Sequence, residues 1–179
     1  MSDPKVTPPP RLIMVTGGQR SGKSLNAEKI VLSLSDKPLY IATAMVLDDE
    51  MASRVEKHRS RRGENWETFE APFNPSLAPV GGRTVLLDCL TMLATNWFFK
   101  LDEDIEAAYN AVAGEIDHLC QSDATTIVIV TNEIGLGGVS GDRLTRRFTD
   151  LQGRLNSMLA QKSDEVIMCV SSIPVTIKK

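Results

Sequence analysis

Cysteine and histidine are both scarce in this chain of 179 residues. The cysteines, Cys89, Cys120 and Cys169, are odd in number and far apart. They show neither metal-ligand spacing nor a disulfide framework, and a reducing cytoplasm is the expected compartment. The histidines are His58 and His118 alone. No apolar stretch approaches the ~20 residues needed to cross a bilayer. Residues 1–10 are rich in proline and lack the apolar core of a signal peptide, so they read as a disordered leader. A large excess of one charge sign is missing too. Net charge is −3 and the pI is about 5.4, which excludes a global basic footprint for nucleic acid. No internal repeat is visible. Residues 11–179 then read as one domain with a substantial core.

What is present is a phosphate-loop pattern. Residues 17–24 read G-G-Q-R-S-G-K-S and follow the apolar run Leu12, Ile13, Met14, Val15. This is the Walker A pattern, placed where a first strand turns into a helix. Gly17 and Gly22 let the backbone curl so that successive N–H groups of Gly18, Gln19, Arg20 and Ser21 point at phosphate oxygens. The positive end of the following helix adds to the attraction. Lys23 is expected to meet the β- and γ-phosphates, and the Ser24 hydroxyl to sit on Mg²⁺.

The rest of the chain alternates. Strands are expected over 12–16, 39–43, 66–70, 84–87, 126–130, 166–170 and 175–177. Helices are expected over 24–34, 48–62, 90–99, 102–119 and 143–161. A loop is expected over 72–82 and a glycine-rich turn over 132–141. Residues 126–130, T-I-V-I-V, are all β-branched, the mark of a strand covered on both faces. Leu144, Phe148, Leu151, Leu155 and Leu159 form one helical stripe. The fold class expected is α/β, a P-loop NTPase-type, mostly parallel sheet with helices on both faces.

Asp88 ends the strand at 84–87 and is the expected Walker B acid, delivered to the carboxyl edge of the sheet to hold Mg²⁺. Glu133 competes for that role, because it also follows an apolar strand. His118 falls late in a helix and reads as structural or exposed. His58 precedes Arg59, Arg61 and Arg62 and shares a helical face with Met51 and Val55. It is either a partly buried surface histidine in a basic segment or a nucleophile beside arginines that clamp a polyphosphate. Nearby positive charge keeps an imidazole neutral and nucleophilic near neutral pH. A second arginine group, Arg143, Arg146, Arg147 and Arg154, fits a solvated helix face or phosphate ligands equally well. Trp97, Phe98 and Phe99 fit core or interface packing better than a ligand platform.

The runs V-T-G-G-Q-R-S-G-K-S, Y-I-A-T-A and D-D-E-M-A-S-R-V-E-K-H-R-S-R-R resemble one known family. So do L-L-D-C-L-T, T-N-E-I-G-L-G and R-L-T-R-R-F-T-D-L-Q-G-R-L-N-S-M-L-A. The family is the bifunctional adenosylcobinamide kinase / adenosylcobinamide-phosphate guanylyltransferase family of cobalamin biosynthesis, and the likeness spans about residues 12–178. It implies that a nucleoside triphosphate, ATP or GTP, phosphorylates adenosylcobinamide. GTP then gives GMP to that phosphate through a GMP-histidine, here His58, releasing pyrophosphate. It implies that residues 17–24 hold the triphosphate. Ala42, Thr43 and Ala44, with Arg59, Ser60, Arg61 and Arg62, would line the GTP site, and Glu70 and Asp88 would complete it. It also implies a homo-oligomer, with a trimer as the expected form. The residues alone leave two other readings open: a P-loop small-molecule kinase of another pathway, and a non-catalytic nucleotide-dependent switch. The N-K-x-D motif that reads guanine in switch GTPases is absent, so guanine preference rests on the resemblance.

Overall fold

The structure is a computed structural model that describes residues 8–45, 49, 56, 59–60 and 62–179. Its frame is a seven-stranded sheet in the order β3-β2-β4-β5-β1-β6-β7. The strands are β1 (Arg11–Gly17), β2 (Leu39–Ala42), β3 (Glu67–Glu70), β4 (Thr84–Asp88), β5 (Thr126–Val130), β6 (Glu165–Val170) and β7 (Ile173–Lys178). Every pairing is parallel except β6 with β7. The described helices are α1 (Lys23–Leu34), α2 (Leu90–Lys100), α3 (Ile105–Cys120) and α4 (Arg143–Lys162).

Alternation along the strands sorts the core into two layers. Leu12, Met14, Leu39, Ile41, Val85, Leu87, Ile127 and Ile129 face one side and pack with α2, α3 and α4. Ile13, Val15, Tyr40, Leu86, Val128 and Val130 face the other, against Ala27 and Val31 of α1. Both faces are therefore covered, as the unbroken apolar runs predict. β5 is buried at every residue. Phe98 is fully buried on α2, with its ring 5.6 Å from that of Phe148. Burial of such a side chain contributes roughly 1.5–3 kcal/mol. The Trp97 indole N–H donates to the Phe73 carbonyl at 3.0 Å, so this part of the aromatic run is packing. Phe99 stays exposed.

Most element ends fall within one residue of the sequence reading, and the larger differences are local. The helix expected from 102 begins at Ile105, because Asp102 and Glu103 are left-handed, with φ of 51° and 63°. Asp104 is the cap, its carboxylate accepting from the Ala107 N–H at 3.0 Å. The last strand is longer than 175–177 and runs antiparallel, because a tight turn at Ser171 and Ser172, both at positive φ, reverses the chain. The loop expected over 72–82 contains a 3₁₀ turn at Pro75–Leu77, and the turn after β5 another at Gly135–Gly137. The helix expected over 48–62 lies largely outside the described residues. Within it Asp49, Glu56, Arg59 and Ser60 are helical and Arg62 is not.

Helices α3 and α4 run side by side in the same direction. Glu106 pairs with Arg154 at 2.5 Å near one end, and Asp117 with Lys162 at 2.8 Å near the other. These pairs are exposed and screened by solvent, so they add little to stability.

Candidate active site

The register lines up the carboxyl ends of the strands. Glu70 pairs with Ala42, Ala42 with Asp88, Asp88 with Val130, and Val130 with Val15. Gly17 follows two residues beyond Val15. Segments far apart in sequence thus end in one row, at the edge where open α/β sheets bind ligands.

The turn after β1 is built from its glycines. Gly22 caps α1 in the left-handed region at φ 84°. A Cβ there would lie 2.8 Å from Ser172 Oγ and 3.0 Å from Ser172 Cα. A Cβ on Gly17 would lie 2.5 Å from Ser21 Oγ and 2.6 Å from the Cys169 carbonyl oxygen. Only glycine fits either place. The Ser21 N–H donates to the Gly18 carbonyl at 3.2 Å, and Arg20 takes a positive φ of 57°. The Lys23 ammonium folds across the turn and donates to the Gly18 carbonyl at 3.1 Å. Ser24 follows on the first turn of α1, partly exposed, while Gln19 and Arg20 are exposed.

A brace that sequence reasoning missed comes from the β6–β7 turn. The Ser172 N–H donates to the Ser21 carbonyl at 2.9 Å, and the Asn26 amide bridges the Gly22 and Ser172 carbonyls at 3.0 and 3.4 Å. A serine pair is a weak hairpin signal compared with Asn-Gly, which is why this turn was not legible.

Around Asp88 the contacts are polar and partly buried. The Tyr40 hydroxyl donates to Asp88 Oδ2 at 3.2 Å. Burial, and after it the Asp88 charge, push the Tyr40 phenol above its ordinary range, so it remains a donor. The Arg62 guanidinium stacks on the Tyr40 ring at 3.4 Å from the centroid, and Trp66 meets the ring edge-on. The Asp88–Cys89 peptide is cis. Thr43 is fully buried: its Oγ1 donates to the Cys89 carbonyl and accepts from the Cys89 N–H, both at 2.8 Å. Burial, then the neighbouring Asp88, push the Cys89 thiol up to about 12, which makes it inert as a nucleophile. The Asn96 amide ties the Thr43 carbonyl to that of Pro72 at 2.8 and 2.7 Å. Ala42 and Ala44 flank Thr43 and are half-buried.

Of the remaining sequence-predicted residues, Glu70 is exposed at the end of edge strand β3, and Arg59 and Ser60 are exposed. His58 and Arg61 lie outside the described residues. His118 is exposed in the last turn of α3. A separate open cleft of about 840 Å³ between α3 and α4 is lined by Asp102, Ile105 and two members of the second arginine group, Arg147 and Arg154, and by none of the residues assigned to the nucleotide site.

Three buried polar atoms lack a hydrogen-bond partner among the described residues near this edge: Thr16 Oγ1, Ser21 Oγ and Arg62 Nη1. Leaving such atoms unpaired costs roughly 1–3 kcal/mol each, and oxygen-rich anions would satisfy them. The donor set also fits Mg²⁺. Ser24 and Asp88 offer a hydroxyl and a carboxylate, hard oxygens and few of them, as suits an ion that completes its shell with phosphate and water.

Strand order refines the class. The strand that ends in Asp88 is separated from the phosphate-loop strand by β5. With the motif at residues 17–24, this fold defines a P-loop NTPase-type α/β protein. A solved structure from Pyrococcus horikoshii OT3 has the same overall fold, with a TM-score of 0.54 at 9% identity, covering 98% of this chain and 89% of that one. The family model for cobinamide kinase / cobinamide phosphate guanyltransferase matches residues 13–177, and the chain belongs to that family. It is 43% identical to the bifunctional adenosylcobalamin biosynthesis protein CobU of Escherichia coli strain K12, over 93% of this chain and 99% of that one. It is 35% identical to the corresponding CobP of Pseudomonas aeruginosa strain PAO1, over 92% and 96% of the two chains.

Proposed function

We propose that this chain carries out both reactions of its family at the carboxyl edge of the sheet. In the first, ATP or GTP phosphorylates the aminopropanol hydroxyl of adenosylcobinamide. In the second, GTP transfers GMP to the new phosphate by way of a GMP-His58 adduct, giving adenosylcobinamide-GDP and pyrophosphate. Family membership carries the pair of reactions. The observation that supports the site is the turn over 17–24, with Gly22 left-handed and Lys23 folded onto the Gly18 carbonyl. On binding, Lys23 exchanges that carbonyl for β- and γ-phosphate oxygens, and Ser24 and Asp88 would hold Mg²⁺, which would supply charge neutralisation. Phosphoryl transfer asks for little beyond this positioning and charge. Arg62 Nη1, which has no partner among the described residues, and the neighbouring Arg59, Ser60 and Arg61 take the GTP phosphates in the second reaction. Ala42, Ala44 and Glu70 border the nucleotide, while Thr43, which the sequence placed with them, is fully buried and holds the Cys89 peptide behind them.

Covalent capture on His58 splits the guanylyl exchange into two in-line displacements. A homo-oligomer, expected as a trimer, is supported by the exposed Ile173, Val175 and Ile177 on edge strand β7. Among the described residues no helix is long and apolar enough to cross a membrane, and the cytoplasm is the proposed compartment.

The test uses GTP labelled at the α- or the γ-phosphate, with protein-bound label counted after denaturation. The parent should retain α-label in an acid-labile, base-stable bond. His58→Ala should retain none yet keep at least part of the kinase activity, and His118→Ala should behave as the parent. α-Label bound to His58→Ala, or γ-label bound to the parent, rejects the assignment.

A further inference from the structure

The two proposed reactions differ in what they ask of a base. The acceptor in guanylyl transfer is a phosphate, already ionised at neutral pH. The acceptor in the kinase reaction is an aliphatic hydroxyl, whose proton must leave as the oxygen attacks. Resting on the function proposed above, we infer that Glu133 is the general base of the kinase reaction.

Its place follows from strand order. β5 lies between β1 and β4, so the chain leaving β5 emerges between the phosphate loop and Asp88. The Thr131 N–H donates to the Val15 carbonyl at 3.0 Å, and the Glu133 N–H to the Gly17 carbonyl at 3.1 Å. Glu133 is therefore anchored on the first residue of the loop. Glu70 ends a strand four positions from β1, about 19 Å at 4.8 Å per strand, too far to serve the same phosphate. Asp88 already accepts from Tyr40 and is assigned to the metal.

The side chain is held from behind by a buried network. Asn156 Nδ2 donates to the Asn132 carbonyl at 3.0 Å and reaches Glu133 Oε2 at 3.5 Å. Asn156 Oδ1 accepts from Thr131 Oγ1 at 2.7 Å and from Gln152 Nε2 at 2.8 Å. Gln152 Nε2 also donates to Thr131 Oγ1 at 2.9 Å, and Thr91 Oγ1 accepts from the Asn132 N–H at 2.9 Å. Gln152 and Thr131 are 0% exposed. Two amides buried on α4 would be costly unless bonded, and all their polar atoms except Gln152 Oε1 are paired among the described residues. What their bonds fix is the path of residues 131–133. Oε2 is turned toward Asn156, which leaves Oε1 for the substrate.

In the reaction the hydroxyl oxygen bonds to the γ-phosphorus. The bond from that phosphorus to the β,γ-bridging oxygen breaks, and the nucleoside diphosphate leaves with the electron pair. The hydroxyl proton passes to Glu133 Oε1 and then to solvent.

The test compares parent, Glu133→Gln and Glu133→Asp with ATP and adenosylcobinamide, and separately with GTP and preformed adenosylcobinamide phosphate. Glu133→Gln should lose 10²- to 10⁴-fold in kinase kcat, roughly the worth of a general base. Its KM for ATP should stay within about threefold, while GMP transfer continues. Glu133→Asp, which keeps a carboxylate, should fall between. Asn156→Ala should lower kinase kcat while sparing GMP transfer, a split that mere destabilisation does not produce. Kinase kcat of Glu133→Gln within about threefold of the parent overturns the inference, as does an equal loss of both reactions in the Gln and Asp variants. A parent unable to phosphorylate adenosylcobinamide at all overturns the function itself, a separate result.

Discussion

Replacing Gly22 with alanine tests how the phosphate loop is built. The backbone there is left-handed at φ 84°, which costs an L-residue roughly 1–2 kcal/mol. The new methyl would also meet Ser172 Oγ at 2.8 Å, Cα at 3.0 Å and Cβ at 3.1 Å. A serine side chain can rotate, but the Cα cannot move without the turn. The turn is tied down by the Ser172 N–H on the Ser21 carbonyl at 2.9 Å. Relief therefore stretches a hydrogen bond that braces the loop, and overpacking of this kind costs roughly 1–3 kcal/mol. The sum is about 2–5 kcal/mol, a large share of the roughly 5–15 kcal/mol that holds a domain folded. Urea unfolding followed by circular dichroism should show a lower midpoint with an unchanged slope. Nucleotide affinity should fall as well, because Ser21 and Gly22 shift with the turn. Gly18→Ala is the control: nothing lies within 4 Å of its Cβ, and its stability should stay within about 0.5 kcal/mol of the parent. A Gly22→Ala protein equally close to the parent in stability would refute the reasoning.

Other outcomes are expected from the same geometry. Asp88→Asn should raise the Mg²⁺ concentration needed for half-maximal turnover in both reactions, read from Mg²⁺ titrations. An unchanged requirement would move the metal elsewhere. Gly114→Ala on α3 and Gly153→Ala on α4 place methyls in open space. Each should stabilise by roughly 0.8–1 kcal/mol, a rise of about 2–4 °C in Tm. Asp142 caps α4, and its carboxyl lies below the usual carboxylate range because the Thr145 N–H and then its hydroxyl donate to it. A depressed folded value gives stability above the unfolded carboxylate pKa that is lost as pH falls through the folded one. Asp142→Ala should therefore be less stable than the parent at neutral pH and converge with it in acid. Parallel melting curves for the two proteins across that range would contradict this.

The phosphate loop was legible in the sequence because it is a local device. A strand, a glycine-rich turn and a helix start lie within one short run, and each residue's reason for being there is its own backbone or its near neighbour. The same holds for β5, where five consecutive β-branched residues fit a strand buried on both sides, and for α4, where Leu151, Leu155 and Leu159 repeat at helical spacing and are buried. The antiparallel β7 was not legible, since its direction depends on a serine turn that carries no strong signal. The row of Glu70, Ala42, Asp88 and Val130 depends on strand order, which alternating elements do not specify. Nothing in the sequence sets Gln152 and Asn156 apart from other polar positions on a long helix. They became meaningful only when packing placed them at 0% and 6% exposure against Thr131. Local backbone chemistry reads along the chain, so the sequence by itself determined the phosphate loop and the alternation of elements. Pairing and burial join residues that are distant along it, so only the tertiary structure decided which acid stands beside the loop, what braces Gly22 and what holds Glu133 in place.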